Sequence, residues 1–92
     1  MNLSDLVARK ASTAAEDNLD DRLLLDLDSG RYYTLGETGG LVWSLLDGTR
    51  SLREIAKDVV ESFEVDLETA EIDLLEFAER MVELDLAIVS HR

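Results

Sequence analysis

Residues 23–48 read LLLDLDSGRYYTLGETGGLVWSLLDG, and the organisation of the chain turns on them. Two short runs rich in Leu and Tyr flank Asp28, Ser29 and Gly30. Those three are turn residues, and Gly30 can supply the left-handed backbone angle that a three-residue hairpin loop needs. In the first run Leu23, Leu25 and Leu27 share one face and Leu24 takes the other; in the second, Tyr33 and Leu35 oppose Tyr32 and Thr34. Past Leu35 the apolar spacing lengthens toward that of a helix. A helix starting at Glu37 or Thr38 and running to Leu46 gathers Leu41, Val42, Leu45 and Leu46 into one arc, and Gly48 reads as the residue just past its end. Two or three strands do not stand alone in water, so the sheet must lay an apolar face on helices, and Tyr33 with Leu35 is the better candidate. Trp43, the only Trp, is the side chain large enough to plug the join and is predicted to be core. Gly39 and Gly40 each weaken the helix by roughly 1 kcal/mol relative to Ala. A close backbone approach to the sheet would account for that cost.

Downstream, Ser51 and Glu54 have capping-box spacing, followed by the stripe Leu52, Ile55, Ala56, Val59 and Phe63. The pattern breaks at Glu64 and Val65, and Asp66 can cap a third helix. Its stripe is Leu67, Ala70, Leu74, Ala78 and Met81, widened by Phe77 and Val82, with a second apolar line at Ile72 and Leu75. The polar face carries Glu68, Glu71, Asp73, Glu76, Glu79 and Glu83 against Arg80 alone. Ala87, Ile88 and Val89 read as a last strand or a tail laid over the core. Upstream, Leu6, Val7, Ala8 and Arg9 form a short strand. Residues 11–21 hold one large apolar residue, Leu19, and read as a connection with room for a helical turn, either a solvated loop or a flap closing on a partner. Residues 1–5 and 90–92 read as frayed ends of a single domain spanning 1–92.

Composition narrows the function. Ninety-two residues allow one modest core. The absence of Cys removes disulfides and thiolate chemistry. No apolar run approaches the length of a membrane span, and no apolar signal core accompanies Asp5, so a cytoplasmic location is expected. Twenty-one acids against nine Lys and Arg give a formal charge of −12, which repels phosphates and argues against nucleic acid as partner; with no spanning run, no membrane partner is expected either. His91, the only His, stands next to the last residue, so a Ser-His-Asp arrangement has nothing to build on. Asp26, Asp28 and Ser29 resemble the start of a calcium loop, but the later Gly and closing Glu are misplaced. Gly36, Gly39 and Gly40 lack the spacing of phosphate or dinucleotide loops. Neither an enzyme nor a cofactor or metal site is expected, and binding is what remains.

The string GRYYTLGETGGLVWSLLDG, with the register that follows it, resembles the family of pyrroloquinoline-quinone biosynthesis protein D. That family includes stand-alone recognition elements for precursor peptides that are ribosomally made and then modified. The family's Tyr and Leu at the end of the third strand, Thr-Gly entering the first helix, aromatic, and closing Asp-Gly fall on Tyr33, Leu35, Thr38, Gly39, Trp43, Asp47 and Gly48. The resemblance covers about residues 20–90. Members serving quinone-cofactor synthesis usually carry Pro-Glu-Gly before the Leu and Cys-Asp-Gly after the aromatic. Arg31, Tyr32, Tyr33 and Leu46, Asp47, Gly48 stand there instead, closer to the leader-binding proteins of lasso-peptide biosynthesis.

The resemblance implies an α+β, winged-helix-like fold: a three-stranded antiparallel sheet followed by three helices. It implies a non-catalytic protein that binds the precursor's leader as an added strand along Arg31, Tyr32, Tyr33, Thr34 and Leu35. The third helix would be the opposite wall, through Glu68, Glu71, Ile72, Leu75, Glu76 and Glu79. The partner would be a cysteine-protease-like leader peptidase on a separate chain. Strand addition draws affinity from main-chain hydrogen bonds and selectivity from side-chain pockets, which suits a chain without catalytic groups. The rival readings are a peptide chaperone working with a radical enzyme in quinone-cofactor synthesis and an acidic, antitoxin-like interaction protein. A DNA-binding winged helix would place six acids where a recognition helix carries Arg, Lys, Asn or Gln.

Overall fold

The hairpin forms where the sequence places it, as part of a larger strand inventory. The computed structural model describes residues 1–18 and 21–90. Among them, β1 (Leu6–Arg9), β2 (Thr13–Asn18), β3 (Asp21–Asp26) and β4 (Tyr32–Leu35) precede α1 (Glu37–Leu45). Then come β5 (Asp47–Ser51), α2 (Leu52–Phe63), α3 (Leu67–Glu83) and β6 (Ala87–Ser90). The strands make two antiparallel sheets, ordered β2-β3-β4 and β5-β1-β6. The expected α+β, winged-helix-like plan, antiparallel sheet followed by three helices, is present, with a second sheet built from the strands around it.

Residues 11–21 depart from their reading as a connection. Thr13–Asn18 is a strand, paired with β3 from Thr13↔Asp26 to Asn18↔Asp21. Ala14, Ala15 and Glu16 carry neither alternation nor β-branched side chains; the main-chain ladder to β3 holds them, and a ladder has no sequence signature. Leu19 and His91 lie outside the described residues.

The N-terminus also departs from its reading as frayed. Asp5 is buried, and its carboxylate accepts from the Asn2 amide at 3.0 Å. The carbonyls of Leu3 and Asp5 accept from the amides of Arg53 and Leu52 at 2.9 and 3.1 Å. A helix leaves its first N–H groups without internal acceptors, and residues 3–5 supply them to α2. Ser90, at the other end, pairs with Leu6 inside β6.

The core joins the inner face of the β2-β3-β4 sheet, the helices, and Val7, Leu86 and Ala87 from the side of the β5-β1-β6 sheet. Leu24, Leu46, Leu52, Ile55 and Leu86 are fully buried there, each worth about 1.5–3 kcal/mol relative to exposure. Trp43, 2% exposed, plugs the join as predicted. Leu24 with Tyr33 and Leu35 forms the inner face, while Leu27 is 60% exposed. The strand thus buries the face with one Leu and leaves the face with three outside.

Helix α1 has nine residues, too few to persist alone in water. Packing holds it, and so does Arg9, whose Nη1 donates to the carbonyls of Trp43 and Ser44 at 3.0 and 2.8 Å, near the helix end where acceptors would otherwise go unused. Helix α2 has its capping box: the Glu54 amide donates to Ser51 Oγ at 3.3 Å and the Ser51 amide to Glu54 Oε1 at 3.2 Å. Asp66 caps α3 by accepting from the Thr69 amide. Gly48 differs from expectation, since α1 ends at Leu45 and Gly48 sits inside β5 with φ +80°. The β1–β5 register slips between Leu6 and Ala8, and a Cβ at Gly48 would stand 3.1 Å from that of Ala8. Its glycine serves a bulge in a ladder rather than a helix end.

Candidate functional site

Strand β4 lies at the edge of its sheet, with β3 as its one hydrogen-bonded neighbour. The Asp26 amide donates to the Arg31 carbonyl at 2.9 Å, which fixes the phase of the ladder. In an antiparallel pair the residues whose main-chain groups meet the neighbour alternate with those whose groups point away. Arg31, Tyr33 and Leu35 therefore turn their main chain toward β3. Tyr32 and Thr34 turn theirs to the free side, which leaves two N–H and two C=O groups available to another strand. Tyr32 is 66% exposed, whereas Tyr33 is half-buried against the core.

Helix α3 comes beside the end of that edge through the Gly pair. A Cβ at Gly39 would stand 3.3 Å from Phe77 Cε2 and 3.5 Å from Leu35 Cβ, so β4, α1 and α3 converge at a position that only hydrogen occupies. Gly40 serves the neighbouring contact: its carbonyl accepts from Arg22 Nη1 at 3.0 Å, and its Cα faces the Arg22 stem on β3. The Gly cost in α1 thus allows the close approach expected from the sequence.

Next to Gly39 a cleft of about 300 Å³ opens between α1 and α3, lined chiefly by Val42, Val59, Ala70, Leu74 and Phe77. Asp73 and Phe77 belong both to this cleft and to an open groove along α3 whose other residues are Glu76, Glu79, Arg80 and Glu83. Among the expected wall residues, Glu76 and Glu79 line that groove. Glu68 is exposed near the start of α3, and Glu71 is half-buried. Ile72 is 51% exposed, and Leu75 packs partly against the core; neither lines the cleft or the groove. The reason is angular. At about 100° per residue, Asp73, Phe77 and Arg80 fall on one line, and Ile72 and Leu75 lie roughly 100° or more around the helix from Asp73. Sequence reasoning assigned Phe77 to the core stripe and Asp73 to the solvent; the neighbouring Gly pair was the one signal that something pressed on α1 there.

The outer face of the β2-β3-β4 sheet carries an apolar patch bordered by Glu16. Leu23, Leu25 and Tyr32 sit beside Ala14 around a shallow depression. The Asp26 and Asp47 carboxyls, at the end of β3 and the start of β5, are held below the ordinary carboxylate range by hydrogen bonds from residues two or three positions ahead. Asp26 accepts from Ser29 Oγ at 2.9 Å and from the Asp28 amide at 3.0 Å; Asp47 accepts from Thr49 Oγ1 at 2.7 Å and from the Thr49 amide at 3.0 Å. The calcium-loop fragment of the sequence is thus a hydrogen-bonded turn. Among the described residues no group of three or more His, Asp or Glu is placed to hold a metal ion, and no helix is long and apolar enough to cross a membrane.

A winged-helix-like α+β domain with an open edge strand beside its last helix is the class that fold and site define. The chain belongs to the family of coenzyme PQQ synthesis protein D, whose model matches residues 21–87. The structure of TbiB1 in complex with the TbiA(beta) leader peptide superposes with a TM-score of 0.79 at 28% identity, covering 87% of this chain and 93% of that one. Lasso peptide synthetase B1 complexed with the leader peptide has the same fold, with a TM-score of 0.79 at 23% identity over 89% of this chain and 96% of that one. No curated protein matches the chain significantly.

Proposed function

We propose that this chain is a non-catalytic carrier that binds the leader of a ribosomally made precursor peptide as a further strand on β4 and presents it to a separate enzyme. The observation that carries the reading is the free edge at Tyr32 and Thr34, ending where Leu35, Gly39 and Phe77 converge on α3. An edge strand with unpaired main-chain groups is a hazard unless something covers it. A leader strand covers it and gains affinity from the same hydrogen bonds. The contact residues are Arg31, Tyr32, Tyr33, Thr34 and Leu35 on the edge and Glu76 and Glu79 on the helix. Family membership and the likeness to a leader-bound structure support the assignment.

The partner in this reading is a cysteine-protease-like leader peptidase on its own chain, in lasso-peptide biosynthesis in the cytoplasm. The apolar outer face at Leu23, Leu25 and Tyr32 supports a second protein contact, because a strand added to β4 continues that face with its own alternate side chains. The test is titration of isotope-labelled protein with a synthetic peptide spanning the leader encoded beside it. The largest amide shifts are expected at Tyr32 and Thr34. Shifts confined to α2 and β1 would refute the reading.

A further inference from the structure

We infer that the site selects leaders by charge as well as bulk: the α1–α3 cleft seats one large apolar side chain, and a Lys or Arg of the same peptide lies over Asp73 and Glu76. This rests on the strand-addition reading above and adds a sequence requirement to it. The cleft, about 300 Å³ and lined by Gly39, Val42, Val59, Leu74 and Phe77, suits an aromatic or branched aliphatic group. Asp73 stands at its mouth and also in the groove that continues along α3 past Glu76, Glu79 and Glu83, where Arg80 is the one base. Among the described residues no salt bridge reaches these four acids.

The spacing matches. Side chains two apart on a strand share a face and stand about 6.6 Å from one another. One turn of helix advances about 5.4 Å. On a leader strand that runs along α3, a side chain two positions from the apolar anchor lies about one turn further, over the acids. A carboxylate there meets like charge, whereas an ammonium or guanidinium meets an unpaired acidic wall. The occupant of the cleft is thus a peptide segment with an apolar anchor and a base two residues away.

The test uses a display library of random decapeptides, selected on the purified protein and on its Asp73→Asn/Glu76→Gln variant. Selection on the unchanged protein is expected to enrich an aromatic or large aliphatic residue with Lys or Arg two positions away. Selection on the variant is expected to keep the apolar residue and lose the base. A peptide so selected is expected to bind about fivefold more weakly to the variant, or when salt rises from roughly 0.05 to 0.5 M. Glu61→Gln, on the exposed side of α2, is the control expected to change nothing. Selected peptides that shift the Tyr32 and Thr34 amides without enrichment of bases would overturn the charge requirement and leave strand addition standing. Peptides that leave those amides unmoved, or no selected peptides at all, would overturn both.

Discussion

Replacing Gly39 by Ala sets two effects of known sign against each other in the lining of the α1–α3 cleft. Ala at the third position of α1 gains helix propensity, worth about 1 kcal/mol in a helix interior and about half that in a first turn. Against this, the new methyl meets Phe77 Cε2 at 3.3 Å and Leu35 Cβ at 3.5 Å. Ordinary carbon contacts start near 3.5 Å, so the Phe77 ring must retreat by about 0.2 Å. Phe77 is half-buried and borders open space, so the ring can swing at a cost of roughly 0.5 kcal/mol. The two effects nearly cancel, and stability is expected to stay within about 0.5 kcal/mol of the parent. Binding has no such compensation, because the methyl and the displaced ring narrow the place where a leader side chain sits. Leader affinity is expected to fall about fivefold for Gly39→Ala and further for Gly39→Val, on the order of 1 kcal/mol or more. Urea denaturation followed by the fluorescence of Trp43, the single buried Trp, gives the first quantity, and calorimetric titration with the leader gives the second. A stability loss above 2 kcal/mol would show that Phe77 is locked into the core. Undiminished affinity in both variants would place the peptide elsewhere.

Proline distinguishes the two sides of β4. Thr34→Pro removes an N–H on the free side, so the fold is expected to survive while leader affinity drops about fivefold for one lost hydrogen bond; Tyr33→Pro breaks the ladder to β3 and is expected to unfold the hairpin. Circular dichroism with titration separates them, and equal damage from both would contradict the ladder phase. Trp43→Ala is expected to cost about 3–5 kcal/mol, measured by chemical denaturation; a loss under 1 kcal/mol would remove it from the core. Ser29→Ala tests the turn: the hydrogen bond from Ser29 lowers the Asp26 pKa, so the stability it contributes is present above the ordinary carboxylate value of 3.8 and is lost as pH falls through the lowered folded value. The variant is therefore expected to be less stable than the parent at pH 7, with the gap closing below 3.8, and a gap constant down to strongly acid pH would mean that Asp26 is not its source.

Features that depend on near neighbours are legible in the chain alone. The turn at Ser29 and Gly30, the capping box of Ser51 and Glu54, the cap at Asp66 and the stripes of α2 and α3 are local chemistry, readable because each partner lies within about four residues. The likeness in residues 30–48 and the register after them carried the family and the overall plan with it. Features that depend on distant partners emerge only once the elements pack. Strand β2 exists because β3 offers a ladder, the N-terminal residues are tied because α2 lacks acceptors, and Gly48 serves a bulge because β1 lies against it. The face of β3 that is buried was also a tertiary choice: counting leucines favours Leu23, Leu25 and Leu27, but the phase of β4 and the seat of α1 turn Leu24 inward. Which side of α3 borders the cleft is likewise a matter of packing. From the sequence apolar Ile72 and Leu75 stand out on α3, whereas the side chains of α3 that border the cleft beside Gly39 include Asp73 and Phe77. A period of 3.6 residues fixes which side chains share a face, and only packing against another element decides where that face points.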